Sequence, residues 1–383
     1  MAVFTVQCGT LVLPDETLHD VTIVSRDGVV ERIASETLTL SGATQVDAHD
    51  RIVMPGFVDI HVHGAMRHDT MDATPEALRV MSTFFASHGV TSFMPTTMTA
   101  RREDIDAAID NVKTMMASGV PGAQILGAHI EGPYLSVKQC GAQFPDLIRP
   151  ANRDEYSHWF DSGIARLITI APEVDDNASL IDDAMQAHVA VAIGHSDADY
   201  TTAMHAFERG ITQATHMFNG MRGLHHREPG TAGAVMSNNE VVAQLIADNI
   251  HVHPAVMDIL YRIKKAGHVA LITDAIEAVG LGDGDYRLGP QSITVRDGQA
   301  RTASGSLAGS TLTMDQALRN IMAATKCTLN EAVMMSSYTP ACSIAMGNRK
   351  GNLRPGYDAD LVILDANLHV QATIAGGRVV YTR

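Results

Sequence analysis

Six side chains carry chemistry that can be read directly from the sequence. His61 and His63 stand two residues apart in Asp59-Ile60-His61-Val62-His63-Gly64, and Glu131, His195, His216 and Asp274 follow singly. Imidazole nitrogens combined with carboxylate oxygens, without thiolates, suit Zn2+, Fe2+ or Mn2+ better than Ca2+. Six donors exceed what one ion needs. The set divides into His61 and His63 with Asp274 for one metal, and His195 with His216 for a second, Glu131 being able to bridge. Two such cations can activate water and polarise a carbonyl together, which hydrolysis of an unreactive amide requires. Asp274 could take a proton from the attacking water and return it to the leaving amine. A lone histidine is more often structural than a ligand, and Asp274 alone would read as a helix N-cap. The metal reading therefore depends on whether the fold gathers all six.

The elements that would gather them show in the hydrophobic pattern. Short apolar runs begin near Phe57, Val90, Ile125, Leu167, Val189, Thr212, Val242 and His268, 22 to 42 residues apart. That spacing fits a strand, a helix and two connections. The stretches between look helical: Thr74 offers an N-cap, Pro75 stands at the first helical position, and Leu78, Met81 and Phe85 recur on one face before Gly89. Eight such units with continuously apolar strands predict an α/β fold, a (β/α)8 TIM barrel. A doubly wound sheet would want a glycine-rich phosphate turn after its first strand, and the sequence has none there. In a barrel, chemistry gathers at the carboxyl ends of the strands. Those ends carry His61 and His63 (first), Glu131 (third), His195 (fifth), His216 (sixth) and Asp274 (eighth), while the seventh leads into Ala247–His251. Period-two alternation puts His61 and His63 on one side of their strand. Buried titratable groups around one cavity are costly unless a cation organises them.

The two chain ends differ from the middle. Val3–Cys8, Thr10–Leu13, Val21–Ser25 and Val29–Ile33 read as short strands around an Asp27-Gly28 turn. Leu361–Leu364, Val370–Ile374 and Val379–Thr382 repeat the pattern around Gly376-Gly377. Neither end could bury much core alone, so residues 1–55 and 346–383 are expected to pair into one small β-sandwich beside a barrel over 56–345.

Composition narrows the function classes. The chain of 383 residues is 45% hydrophobic and 19% charged, which supports a sizeable core and excludes general disorder. Its 43 acidic and 28 basic residues give a formal charge of −15. That sign argues against nucleic acid or an anionic membrane as partner, although a small anionic substrate needs only a local basic pocket. The N-terminus lacks a signal-peptide pattern, and no run approaches the ~18 apolar residues of a membrane span. Cys8, Cys140, Cys327 and Cys342 lie far apart without a C-x-x-C pair, and read as free thiols in a reducing cytoplasm.

Over nearly its full length the chain resembles a known enzyme group. His-x-His on the first barrel strand, Asp on the eighth and the closing segment Gly351–Leu361 (GNLRPGYDADL) look like the amidohydrolase superfamily. Within it, HIEGP at His129–Pro133, GHS at Gly194–Ser196 and THMFNGMRGLHHREPG at Thr215–Gly230 are similar to the N-acetylglucosamine-6-phosphate deacetylases. So are ADNIHV at Ala247–Val252, LITDA at Leu271–Ala275 and SGSLAGSTL at Ser304–Leu312. The fourth strand ends Ala171-Pro172-Glu173, without the lysine that dihydroorotase-like relatives carboxylate to bridge metals.

The resemblance implies cleavage of N-acetylglucosamine 6-phosphate to glucosamine 6-phosphate and acetate, with two divalent metals per subunit, zinc foremost. It implies that Asn219 and the backbone N–H of Gly220 hold the sugar phosphate. It further implies that Arg227 and His251 reach the phosphate from a neighbouring subunit, so that a homodimer at least shares the site. Arginine suits phosphate through bidentate charge-assisted bonds. Ala142 and Gln143 fall at the acetyl end, where the family usually carries a histidine donating to the acetyl carbonyl. Gln143 is a neutral, weaker donor, which leaves more of the polarisation to a metal. Asn249 stands where the family often has glycine, and asparagine tolerates the left-handed backbone such a turn needs. Cys140 reads as a bystander thiol, and Gly282–Gly284 with Asp283 and Asp285 as a hairpin and not a calcium loop. The alternatives are the same reaction on N-acetylgalactosamine 6-phosphate, a D-aminoacylase-like amide hydrolase, and a non-catalytic barrel scaffold.

Overall fold

The structure is a computed structural model and describes residues 3–35, 38, 40, 42–289 and 291–383. Four strands open the chain: β1 (Val3–Val12), β2 (Thr17–Arg26), β3 (Val29–Ala34) and β4 (Thr44–Pro55). After Gly56 the barrel begins with β5 (Phe57–Val62), β6 (Val90–Pro95), β7 (Gln124–Ile125) and β8 (Ala128–Glu131). It continues with β9 (Ala165–Ile170), β10 (Ala190–Ile193), β11 (Gln213–Ala214), β12 (Val242–Ile246) and β13 (Val269–Ile272).

All neighbouring strands of this set are parallel, in arcs β5–β7 and β8–β13. Parallel bridges Thr96↔His129 and Val62↔Ala275 join the arcs and close the ring. The third barrel strand is interrupted into β7 and β8 by Gly127, whose φ is +149°. Helices follow the strands in alternation, and the first shows why. In α1 (Pro75–Ser87), Thr74 Oγ1 accepts the Ala77 N–H, Pro75 fills the first turn, and Leu78, Met81 and Phe85 are buried. A Cβ at Gly89 would lie 2.6 Å from the Phe57 ring, so only glycine lets the chain turn into β6 there.

The chain ends supply the second unit. β17 (Leu361–Leu364), β18 (Val370–Ala375) and β19 (Arg378–Thr382) join the N-terminal strands in one seven-stranded sheet, ordered β19-β18-β17-β4-β1-β2-β3. Its middle strand, β4, pairs parallel to β1 and antiparallel to β17, and so ties the two ends together. The sheet folds over itself. Val29 bridges Asp358, Ala359 N donates to Gly28 O, and Phe4, Val6, Ile23, Val30, Leu361, Ile363 and Ile374 fill the space between its halves. The sandwich thus forms from one continuous sheet. The two strands expected at Val3–Cys8 and Thr10–Leu13 are one strand with a register shift at Gly9, where a Cβ would meet His49 O at 1.8 Å. Met54, Val362 and Leu364, on the other face, belong to the barrel core.

After β13 a small antiparallel sheet, β14 (Gly284–Leu288), β15 (Gln291–Arg296) and β16 (Gln299–Thr302), stands beside the mouth on its own core of Tyr286, Leu288, Ile293 and Val295. Asp283 accepts the Asp297 N–H and Asp285 accepts the Thr294 hydroxyl, so both acids brace this sheet; Gly282–Gly284 leads into β14, and the hairpin turns fall after Leu288 and Arg296 and not at the expected position. Among the described residues no helix is long and apolar enough to cross a membrane.

Candidate metal centre and substrate cavity

The barrel brings all six expected donors together at its carboxyl mouth, each nearly or fully buried. Asp274, His195 and His216 take left-handed backbone angles (φ 51°, 46° and 29°) directly beyond their strands. Non-glycine residues hold such angles only where neighbours impose them. At Asp274 the neighbours are evident: its N–H donates to His61 O at 2.9 Å, and its carbonyl accepts the Ser310 N–H at 2.8 Å.

The donors form two triplets, His61–His63–Asp274 and Glu131–His195–His216. Asp274 Oδ1 lies 3.5 Å from His61 Nε2 and 3.3 Å from His63 Nε2. Glu131 Oε1 lies 3.2 Å from His195 Nε2 and 3.1 Å from His216 Nε2. Its other oxygen, Oε2, is 3.3 Å from His63 Nε2, so one carboxylate touches both triplets.

The outer ring nitrogens settle which atoms face inward. Nδ1 of His63, His195 and His216 meets the carbonyl oxygens of Thr96, Gln139 and Asn219 at 3.2, 2.9 and 3.0 Å. A carbonyl only accepts, so these contacts put the proton on Nδ1 and leave Nε2 its lone pair, as metal-ligating histidines require. His61 Nδ1 faces Gln244 Oε1 at 3.5 Å, and Gln244 is itself held by donating to Gln213 Oε1.

Electrostatics point the same way. Burial pushes Glu131 and Asp274 toward the neutral acid, but the surrounding imidazoles outweigh it and hold both carboxyls below their ordinary range. Burial pushes His63 down, yet hydrogen bonds to Asp274 and Glu131 raise it well above an ordinary imidazole. The carboxylates demand positive charge at this point. A divalent cation among inward-facing lone pairs answers that demand, and the nitrogen–oxygen donor set fits it.

A cavity of about 240 Å³ opens above the donors, lined in part by Ala142, Gln143, Asn219, Gly220 and His251. Gly220 has φ +56°, and a Cβ there would stand 3.0 Å from His195 Nδ1, so glycine keeps the backbone against the metal ligand. His251 corrects the expectation of a residue reaching in from a neighbour, because it lines its own chain's cavity. The Asn249 turn, left-handed at φ 66° as expected, folds the strand end over the mouth, and Asp248 Oδ2 clamps His251 Nδ1 at 2.6 Å. Arg227 stands outside the cavity, exposed between bridged His225 and Glu228, with its guanidinium 2.8 Å from His226 Nε2. A larger groove of about 1080 Å³ on the β14–β16 sheet contains none of the six donors.

Sequence reasoning missed residues that act through others. His129 sits among the barrel donors but bonds Ile60 O and Thr169 Oγ1, and burial holds its pKa well below an ordinary imidazole. Asp59 accepts Thr273 Oγ1 at 2.6 Å and joins the strands of His61 and Asp274, while burial pushes its carboxyl up to about 7. Asp197 bonds Lys138, Gln139 and Arg222, tying the Gln143 loop to the Asn219 loop. Asp59, inside the Asp-x-His-x-His run, and His129, which opens the HIEGP run, had a signal in the sequence; Asp197 had none.

Residues 52–380 match the model of the amidohydrolase family. The chain is 39% identical over 356 residues to the N-acetylglucosamine-6-phosphate deacetylase of Lysinibacillus sphaericus, covering 92% of each protein. It is 39% identical over 347 residues to the N-acetylgalactosamine-6-phosphate deacetylase of Escherichia coli O157:H7, covering 90% of each. Among solved structures, an N-acetyl-D-glucosamine-6-phosphate deacetylase variant from Mycobacterium smegmatis, in complex with N-acetyl-D-glucosamine-6-phosphate, matches with a TM-score of 0.92 at 32% identity. That match covers 100% of this chain and 99% of the other.

Proposed function

The chain belongs to the amidohydrolase family, and we propose that it hydrolyses the acetyl amide of N-acetylglucosamine 6-phosphate, giving glucosamine 6-phosphate and acetate. The observation that carries this reading is the pair of donor triplets sharing Glu131 on the floor of a cavity that Asn219, Gly220 and His251 also line. His61, His63, Asp274, Glu131, His195 and His216 would hold two divalent cations per subunit, zinc first, with iron or manganese as alternatives. Bound there, such cations supply Lewis acidity toward water and the acetyl carbonyl.

The chain's own groups do the rest. Asp274, held as a carboxylate, takes the proton of the attacking water and delivers it to the departing amine. The Gly220 N–H, which has no acceptor among the described residues, and Asn219 orient the phosphate, with His251 beside them. Ala142 and Gln143 close the acetyl end. Arg227, presented outward on its turn, serves the phosphate of a neighbouring subunit, making a homodimer the working unit. The four free cysteines support a reducing, cytoplasmic setting for the enzyme. The boundaries 1–55, 56–345 and 346–383 belong to the same proposal, with the outer segments forming the sheet and the middle one holding every reacting group.

A second reading, the galacto epimer, draws support from the equal identity to the Escherichia coli relative. Acetate release from both epimers, and from the sugar without phosphate, tests these readings together. The gluco phosphate is expected to react fastest and the unphosphorylated sugar at least about a hundredfold slower. Equal rates with and without phosphate would sink the sugar-phosphate assignment in favour of a broader amide hydrolase. Sedimentation of the enzyme, and an Arg227→Ala variant with raised KM, test the shared site.

A further inference from the structure

Gln143 is 3% exposed, and both ends of its amide are engaged. The Thr99 N–H donates to Gln143 Oε1 at 2.8 Å. A backbone N–H can only donate, so this contact identifies the amide oxygen without ambiguity. The amide nitrogen must then face the other way, where it donates to Glu131 Oε2 at 2.8 Å beside Met98 Sδ at 3.7 Å. The loop is fixed too: Gln143 N donates to Cys140 O, and Gln291, from β15, donates to Ala142 O.

Among the described residues, Glu131 is the carboxylate that reaches both triplets, so its orientation decides how its oxygens are shared. Oε1 lies closest to His195 and His216, with His61 Nε2 farther off at 3.6 Å, while Oε2 faces His63 and the Gln143 amide. We infer that Gln143 is a positioning residue for Glu131, turning Oε2 toward His63 so that Oε1 stays on His195 and His216 and the carboxylate spans both metal-binding triplets. This differs from a donor aimed at the acetyl carbonyl, because the amide is pinned at one end by Thr99 and spends an N–H on a charge-assisted bond to a metal-binding carboxylate. The inference rests on the metal-dependent reading above.

Metal retention separates this role from substrate binding. Metal-replete enzyme would be dialysed against graded dipicolinate and its metal content measured by mass spectrometry, beside KM and kcat for the sugar phosphate. Gln143→Met keeps the length and removes the donor; it is expected to lose metal at about tenfold lower chelator, with KM changed by less than about threefold. Gln143→His keeps an N–H donor of similar reach and is expected to hold metal within about threefold of the unaltered enzyme. Normal metal retention in the Met variant, with or without a fall in kcat/KM, overturns the inference. So does loss of metal from Gln143→His at about tenfold lower chelator than the unaltered enzyme, a criterion that decides alone should Gln143→Met fail to fold. Metal is read without substrate, so an inactive parent enzyme would count against the proposed reaction and leave this inference standing.

Discussion

The barrel buries charge at both ends, and the ends treat it differently. At the amino ends of the strands, Lys350, 2% exposed, places Nζ 2.6 Å from Asp360 Oδ2, 2.9 Å from Asp358 Oδ2 and 2.7 Å from Gln124 Oε1. That cluster ties the terminal sheet to β7, and Asp360 Oδ1 accepts the Gly376 N–H as well. Burial pulls the Lys350 ammonium down, but the two carboxylates outweigh it and its pKa is raised. The lower cluster carries its own cation. At the carboxyl ends, Glu131 and Asp274 face imidazoles, with the neutral Gln143 amide also on Glu131, and three of those imidazoles have their Nδ1 protons turned outward to backbone carbonyls. The upper cluster holds no lysine or arginine, and its carboxylates draw either a proton onto His63 or, in its place, a divalent cation. A buried carboxylate is therefore no sign of a site in itself; the sign is burial against exchangeable imidazoles instead of a fixed cation.

Removing metal should break this contrast most sharply. Dialysis against a strong chelator is expected to reduce acetate release to background, with activity returning on adding Zn2+ or Mn2+. Hydrogen exchange should rise at the strand ends around His195, His216 and Asp274, and stay unchanged in β17 and β18, whose cluster needs no metal. Full activity in chelated enzyme with under a trace of bound metal would refute the reading of the mouth. Next in size, Asp274→Asn should lower kcat by about 10² to 10⁴ while KM moves little, since it removes a proton acceptor and leaves the phosphate contacts. An unaltered kcat would end the proton-transfer role.

Legibility from sequence followed the range of the physics. The apolar runs place every barrel strand within two residues of its observed start, because a parallel strand buried on both faces must be apolar throughout. The six donors were legible because strand ends have fixed positions in a barrel. β4 was not, since Thr44–Asp50 is mostly polar and becomes a strand only by pairing with β1, while β17 pairs with Ile52–Pro55. The β14–β16 sheet was seen only as one turn. The carbonyls of Gln139 and Asn219 left no trace either, because any residue carries a carbonyl and only the fold aims it. His251 shows the same limit: its residue type could be read, but the side from which it enters the site depends on the Asn249 turn.

At the lower cluster, Lys350→Met should strand the buried Asp360 carboxylate, leave Asp358 to Arg349 alone, and destabilise the fold by about 3 kcal/mol, read from denaturant midpoints at neutral pH. Per folded molecule, kcat/KM should match the parent, because no reacting group lies at this end. A variant that unfolds no sooner would show the cluster to be dispensable, and one that folds but loses kcat would join the two ends in a way the contrast forbids.

The smallest effect is the pH dependence of that same cluster. Lys350 has its folded pKa raised above the ordinary lysine value of 10.5. The folded chain therefore binds the proton more tightly than the unfolded one. The contribution is fully present below pH 10.5 and is lost as pH rises through the folded value. Between pH 7 and 9 the parent and the Lys350→Met variant should differ by a constant amount. Above 10.5 the gap should narrow, by at most about 1.4 kcal/mol per pH unit for one proton. Other lysines and tyrosines titrate there too, but they are common to both proteins and cancel in the difference. A gap that stays constant through the alkaline limb would mean that Lys350 is not held charged by Asp358 and Asp360, and the lower cluster would no longer stand as the self-neutralised counterpart of the mouth.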